Sequence, residues 1–206
     1  MKGIILSITT LFTCITHAQV KFEKGYIINK DDDKKKEVFV KNLDWVNNPD
    51  EFTYKIDDKT AELKGNPSNV KEFGVYGFSK YKSYNGSIDT SSSDLSSLSN
   101  QSNPENQQVN IFLKELISGD KNLYSYQGSK SSIRFFYSNS DTSEIKSLIY
   151  KKYHPDGNQS LVATNEGYLE QLKTLFGNDA KATALISQTK YNSNSLSKIF
   201  KIHNET

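Results

Sequence analysis

The chain has 206 residues, with 26 basic and 24 acidic side chains and a formal net charge of +2. Because this charge is close to neutral, the composition gives no case for binding nucleic acid or acidic lipid surfaces. Arg134 is the only arginine. Arginine is the side chain that binds phosphate through two parallel hydrogen bonds, so phosphate recognition is weakly disfavoured.

The first 18 residues are typical of a cleavable export signal. Lys2 provides a positive start, residues 3–15 are uncharged and largely apolar, and Thr16 and Ala18 place small side chains three and one before a cut after Ala18. The apolar run is shorter than the roughly 20 residues that a membrane-spanning helix needs. We therefore expect an exported protein, periplasmic or secreted, whose mature chain has no transmembrane segment.

Cys14 leaves a second type of export signal open. A bacterial lipoprotein requires a cysteine directly after the apolar run with small residues before it, and Phe12 and Thr13 match that requirement poorly. A third alternative is an ordinary N-terminal helix or strand that packs on the core. If cleavage follows Ala18, the mature chain has no cysteine and therefore forms no disulfide.

Residues 20–88 carry the alternating apolar and polar pattern of strands separated by turns. A highly charged hairpin tip at residues 31–36 joins the first two strands, and residues 70–73 favour one helical turn capped by Ser68. The predicted strands are residues 25–28, 38–40, 52–56, 74–78 and 84–88.

Residues 89–108 are rich in Ser, Asn, Gln and Asp, and Leu95 and Leu98 are their only large apolar side chains. Such a polar stretch buries too little apolar surface to offset the entropy lost on ordering. Two alternatives follow: a long surface loop with one weak helical turn, or a flexible connection between two parts of the sheet.

The remainder of the chain changes from strand to helix patterns. Strands are predicted at residues 109–117, 122–126 and 133–137, with a fourth open at 148–153, and helices at 168–176, 180–188 and 195–203. We therefore expect an α+β fold: residues 19–153 form an antiparallel β-rich domain, and residues 154–206 form about three short helices packed on it. The pattern leaves open whether the strands form one sheet or two.

The sequence contains little that is typical of an enzyme. His154 and His203 both lie in polar contexts, so we expect an exposed turn residue and an exposed tail residue rather than zinc ligands or catalytic bases. Residues 31–33 are three aspartates followed by lysines, which favours a solvated hairpin tip over a calcium site. The phosphate-binding loop of GTPases is missing, and no cofactor is expected.

Aromatic side chains are the enriched feature of the predicted strands. Tyrosine suits a half-buried sheet face whose hydroxyl reaches water, and it also suits a face that binds peptides or glycans. The single tryptophan, Trp45, is either an anchor for the sheet or a ligand platform. If a binding surface exists, we expect it to include Trp45, Tyr54, Tyr76, Tyr81, Tyr124 and Tyr126.

Two functions follow from these observations. The first is a non-catalytic, envelope-associated protein that binds a partner protein, peptide or glycan through its β-rich part. The second is a periplasmic or secreted hydrolase that uses carboxylates such as Asp44, Glu51 or Glu72. A hydrolase of this kind needs two neighbouring acids with different pKa values, and a sequence does not show whether two acids are neighbours.

The order of short patterns resembles a group of exported proteins of Bacteroidota, especially flavobacteria. The matching stretches are residues 24–28, 41–45, 70–75, 112–116, 123–126, 134–137 and 196–200. The resemblance implies a β-rich exported protein, found alone or ahead of an outer-membrane β-barrel, for which this chain has no room. The group carries no established activity, so the resemblance implies no catalytic residues.

Overall fold

The computed structural model describes residues 21–129, 132–142 and 144–205. The export signal predicted at residues 1–18, with Cys14 and the cleavage site, lies outside these residues. The described strands are β1 (Phe22–Asn29), β2 (Lys35–Lys41), β3 (Phe52–Lys55), β4 (Leu63–Gly65), β5 (Val70–Val75), β6 (Ser79–Asp89), β7 (Asn106–Ile117), β8 (Lys121–Tyr126), β9 (Arg134–Asn139), β10 (Lys146–Ser147), β11 (Lys151–Tyr153) and β12 (Ala163–Asn165). The helices are α1 (Tyr168–Phe176), α2 (Ala180–Ile186) and α3 (Ser193–Asn204).

One antiparallel sheet contains ten of these strands, in the order β10-β9-β8-β7-β6-β5-β1-β2-β3-β4. The described part of the chain enters the sheet at the interior strand β1, extends outward on one side to β4, and returns to pair β5 with the other side of β1. Strands β11 and β12 form a separate two-stranded sheet. The α+β prediction is confirmed: strands from both β-rich stretches share the ten-stranded sheet, and three helices follow. The fourth strand left open at residues 148–153 is present as β11 but lies outside that sheet.

The predicted helical turn at residues 70–73 is wrong. These residues begin β5, where Phe73 and Val75 alternate inward and are 0% and 2% exposed. Strand β5 pairs along its length with residues Gly25 to Asn29 of β1, from Val75 opposite Gly25 to Val70 opposite Asn29. A contact between segments this far apart in the chain overrides the local preference for a helix.

The first half of the sheet curls around an aromatic core. Phe52 of β3 stacks on Phe73 of β5 with ring centroids 3.8 Å apart, although β1 and β2 lie between those strands. Phe52 also reaches Phe112 of β7 at 5.9 Å. Rings on distant strands meet only when the sheet is strongly rolled, so this half of the protein encloses its own core.

The second half of the sheet is covered by the helices. In α1, Tyr168, Leu172 and Phe176 follow at intervals of four residues and are all buried, which is one face of an amphipathic helix. They pack with Leu123 and Phe135 of the sheet in one continuous core. The helices therefore belong to the same folded unit as the strands.

His203, near the end of α3, lies between two carboxylates. Its Nδ1 is 2.8 Å from Asp179 Oδ2, and its Nε2 is 3.3 Å from Asp120 Oδ2. The side chain is 21% exposed, so this residue near the C-terminus is partly buried rather than fully exposed. The two contacts join α3 to the start of α2 and to the turn between β7 and β8.

These contacts make part of the stability dependent on pH. The N–H of Ala182 and then His203 hold the pKa of Asp179 below its ordinary value, and Lys121 and then His203 do the same for Asp120. The unfolded chain therefore binds these protons more readily, so the stabilisation is complete above about pH 4 and is lost as the pH falls further. We expect Asp179→Asn, which keeps the helix-capping oxygen without the charge, to lose less stability on acidification than the parent protein.

Urea unfolding curves recorded from neutral to acidic pH measure this difference. A parent and an Asp179→Asn protein whose unfolding free energies fall in parallel below about pH 4 would contradict the assignment.

The polar stretch between β6 and β7 is a long surface loop with one helical turn, at Leu95–Ser97, which is the first of the two alternatives. Three buried basic side chains hold it. Arg134 donates to the carbonyl oxygens of Asp89 and Ser91, at 3.1 and 2.8 Å, and Lys151 donates to that of Asn103 at 2.8 Å. The third is His154, whose ring lies against the middle of the loop.

His154 is buried, at 7% exposure, so the exposed turn residue predicted from the sequence is wrong. Its Nδ1 lies 2.7 Å from the carbonyl oxygen of Leu161, and its Nε2 lies 3.2 Å from that of Leu95. The imidazole thereby links the loop to the segment between β11 and β12. The loop is fixed at its start, middle and end although it contributes almost nothing to the apolar core.

Candidate functional site

Two depressions meet at Tyr126, the last residue of β8. We call the first the serine pocket and the second the tryptophan pocket, and the two together the Tyr126 cleft. The serine pocket has a volume of about 530 Å³ and is lined by Ile88, Asp89, Thr90, Ser91, Ser92, Ser93, Asp94, Val109, Tyr126, Ser132 and Arg134. The tryptophan pocket has a volume of about 540 Å³ and is lined by residues 43–51 with Tyr126, Gly128 and Ser129.

A buried ion pair lies in the lining of the serine pocket. Arg134 Nη2 is 3.1 Å from Asp89 Oδ2, and the two side chains are 8% and 9% exposed. The other carboxylate oxygen, Asp89 Oδ1, accepts hydrogen bonds from the N–H groups of Ser91 and Glu105 at 2.9 and 3.0 Å. Because Asp89 neutralises the only guanidinium of the chain, this pocket is poorly suited to holding a free anion.

Hydroxyl groups form the wall of the serine pocket. Thr90, Ser92, Ser93 and Ser132 contribute side chains from the start of the long loop and from the residues before β9. Hydroxyls both donate and accept hydrogen bonds, so they can bind a peptide backbone or sugar hydroxyls equally well. The pocket therefore offers many neutral hydrogen-bonding groups beside the aromatic ring of Tyr126.

The tryptophan pocket is built by the loop between β2 and β3, which Asn48 fastens to the sheet. Its amide nitrogen donates to the carbonyl oxygens of Phe112 and Ser125 at 2.9 and 3.0 Å. Its side-chain oxygen accepts from the N–H of Gln127 at 3.0 Å, and its own N–H donates to the carbonyl of Gln127 at 2.8 Å. Four hydrogen bonds from one residue give this loop a defined position beside Tyr126.

Trp45 both packs on the core of the sheet and lines a pocket, so the structure leaves the role of ligand platform untested. Its ring packs edge-on against Phe73 and Tyr81, with centroids 5.9 and 5.8 Å apart, so it anchors the loop on the rolled core. The same half-buried side chain lines the tryptophan pocket. A ligand in that pocket would therefore contact the only tryptophan of the protein.

The structure places the predicted aromatic residues in different environments. Trp45 and Tyr126 are half-buried and line the same pocket. Tyr81 and Tyr124 are each 1% exposed and belong to the core, where burial raises the pKa of Tyr81 to about 12. Their rings are out of reach of a ligand at the surface.

The other two predicted tyrosines lie away from the Tyr126 cleft. Tyr54 packs beside Phe52, with ring centroids 5.7 Å apart, at the edge of the rolled core. Tyr76 is 43% exposed and its hydroxyl donates to Glu37 at 2.7 Å. Neither residue is among those that line the cleft.

The three carboxylates considered for hydrolysis divide between two places. Asp44 and Glu51 both line the tryptophan pocket. Glu72 lies elsewhere: it accepts a hydrogen bond from the Tyr26 hydroxyl at 2.8 Å and lies 3.5 Å from Lys80 Nζ. Only the first two could therefore act on one substrate.

Sequence reasoning missed Asp89, Ser91 and Arg134 as parts of a site. One cue was present, since Arg134 is a single charge directly before the apolar residues of β9. A buried charge requires a partner, so a lone arginine at the start of a buried strand predicts a nearby carboxylate. The identity of that carboxylate depends on a contact across 45 residues.

In the described part of the chain, no three His, Cys, Asp or Glu side chains are arranged to hold a metal ion. No described helix combines the length and the apolar character that crossing a membrane requires. Comparisons with protein-family models, curated proteins and solved structures found no match to this chain.

Proposed function

We propose that this chain is an exported, envelope-associated binding protein without catalytic activity, whose peptide or glycan ligand occupies the Tyr126 cleft. The observation that carries the proposal is the meeting of two pockets, each larger than 500 Å³, at a half-exposed tyrosine. Such a concave site, with aromatic rings and a few well-placed hydrogen-bonding groups, is typical of ligand recognition. Hydroxyl groups on one side and Trp45 on the other provide both elements.

The binding proposal is tested by screening the purified protein against peptide and glycan arrays. Ligands that bind are then titrated while the fluorescence of Trp45, the only tryptophan, is recorded. We expect Tyr126→Ala to weaken binding at least about tenfold, or ~1.4 kcal/mol, because truncating a central aromatic contact removes much of the affinity.

Tyr76→Ala is the matched control, since Tyr76 is an exposed tyrosine away from the cleft. Equal effects of the two substitutions would count against the cleft, and an absence of any peptide or glycan ligand would count against the proposal as a whole.

The alternative is a hydrolase, favoured by the presence of Asp44 and Glu51 in one pocket. Against it, the carboxylate of Glu51 is already paired with Lys64, a residue that does not line the pocket. A screen with glycoside and ester substrates separates the two functions. Turnover that disappears in Asp44→Asn would favour the hydrolase.

The proposed export rests on the pattern of residues 1–18. Mass spectrometry of the N-terminus of the protein from its native host distinguishes a chain that begins at Gln19 from one acylated at Cys14. An intact chain that retains Met1 would overturn the export proposal.

A further inference from the structure

We propose that the Tyr126 cleft binds a basic peptide segment, with lysine or arginine side chains lying along Leu43, Trp45 and Val46 and their charges meeting Asp44 and Asp50. The inference rests on the proposed function and specifies the ligand of that site. Its basis is the combination of exposed apolar side chains with carboxylates that form no ion pair within the described part of the chain.

The apolar part of the surface is unusually exposed. Leu43 is 53% exposed and Val46 is 85% exposed, on either side of Trp45. All three belong to a loop that Asn48 holds in place, so their exposure is a property of the folded protein. Exposed apolar side chains grouped beside a pocket are typical of sites that bind another molecule.

Most of the charged residues described in the cleft are acidic. Among the residues that the structure describes, its lining contains five carboxylates, from Asp44, Asp50, Glu51, Asp89 and Asp94, and one cation, Arg134. Arg134 is paired with Asp89, and Glu51 is paired with Lys64. Among the described residues, the remaining three aspartates have no ion pair. The described part of the lining is therefore acidic in a chain whose formal net charge is +2.

A lysine or arginine side chain combines the two properties that this surface complements. Its methylene groups pack on apolar side chains while its charged end stays near water and pairs with a carboxylate. A cation close to an indole or phenol ring gains further from the negative face of that ring. Asp50 lies near enough to Tyr126 to contribute, after burial, to the raised pKa of its hydroxyl. A cation bound beside Asp50 would thus also lie near Tyr126.

An acidic peptide and a neutral glycan complement this cleft less well than a basic peptide does. An acidic peptide would bring its carboxylates against Asp44, Asp50 and Asp94, and like charges in close contact disfavour binding. A neutral sugar would leave these carboxylates without a charged partner. Charge complementarity therefore selects a basic peptide among the ligands open to this site.

The test compares three synthetic peptides in which phenylalanine alternates with lysine, serine or glutamate. Binding to the purified protein is followed by Trp45 fluorescence. We expect the lysine peptide to bind most tightly, with an affinity that falls as salt is added. We expect Asp44→Asn combined with Asp50→Asn to weaken it about tenfold. Asparagine tolerates the left-handed backbone of Asp44, which has φ of 46°.

Asp31→Asn combined with Asp58→Asn is the matched control, because both aspartates are exposed and outside the cleft. Equal weakening by the two double variants would overturn the inference, since net charge alone would explain it. Equal binding of all three peptides, lost in Tyr126→Ala, would overturn the inference and leave the proposed function standing. Failure of every peptide and glycan to bind would overturn both.

Discussion

We expect Arg134→Met to lower the free energy of unfolding by about 3–5 kcal/mol, which is the range found when one partner of a buried ion pair is removed. The substitution leaves the buried carboxylate of Asp89 without its counter-charge. It also removes the donors to the carbonyl oxygens of Asp89 and Ser91. Urea unfolding at neutral pH measures the loss.

A second substitution separates charge from packing. Asp89→Asn keeps an oxygen that can accept from the N–H groups of Ser91 and Glu105 but removes the buried charge. In the Arg134→Met background it is expected to restore at least ~1 kcal/mol.

Lys146→Met is the control for the arginine prediction. Lys146 forms an exposed ion pair with Glu144, whose loss should cost less than about 1 kcal/mol. An Arg134→Met protein no less stable than Lys146→Met would show that the ion pair does not hold the loop.

Phe73→Ala should lower the free energy of unfolding by about 3–5 kcal/mol, because it empties the centre of the rolled core. The ring of Phe73 lies 3.8 Å from that of Phe52, and 4.9 Å from those of Tyr81 and Phe112. The ring of Phe73 also packs against that of Trp45, with the ring centroids 5.9 Å apart. We therefore expect the fluorescence of Trp45 to move to longer wavelength as water reaches its ring.

Phe78→Ala is the matched control, since Phe78 is 60% exposed and should change stability by less than about 0.5 kcal/mol. Phe73→Leu, which keeps most of the buried volume, should cost less than Phe73→Ala. A Phe73→Ala protein with unchanged stability and unchanged Trp45 emission would contradict both the core and the support of the pocket.

Elements with a strong local pattern could be predicted from the sequence. The helix at residues 168–176 was predicted with the bounds that the structure has, because its apolar side chains follow the helical period and glycine comes next. The strands near Val38 and Leu123 were predicted from short apolar and aromatic runs that follow turn residues. Local periodicity is sufficient where one face of an element is buried.

Features that depend on distant contacts could not be predicted. Val70 begins a strand because β1 lies beside it. His154 is buried under the long loop, where the carbonyl group of Leu95, 59 residues earlier in the chain, meets its ring. In both cases the deciding partner is distant in the sequence, and nothing in the local pattern indicates it.

The candidate site was predicted only in part, for the same reason. The aromatic enrichment named Trp45 and Tyr126, which line one pocket, but it did not separate Tyr126 from Tyr81 and Tyr124, which are buried tyrosines in similar strands. The wall of the serine pocket depends on a polar loop, and polar composition alone is equally typical of a flexible segment. Whether this loop is fixed or flexible depends on buried donors from other strands, such as Arg134 and Lys151, that bind its carbonyl groups.

The most direct measurement is amide hydrogen exchange of residues 90–105, which separates a fixed wall from a flexible connection. The N–H groups of Thr90 and Glu105 are bonded to the Glu105 carbonyl and to Asp89 Oδ1, at 2.9 and 3.0 Å. We expect these amides to exchange at least about a hundredfold more slowly than in an unstructured peptide, and to lose that protection in Arg134→Met. Exchange at the rate of an unstructured peptide in the parent protein would contradict a preformed cleft.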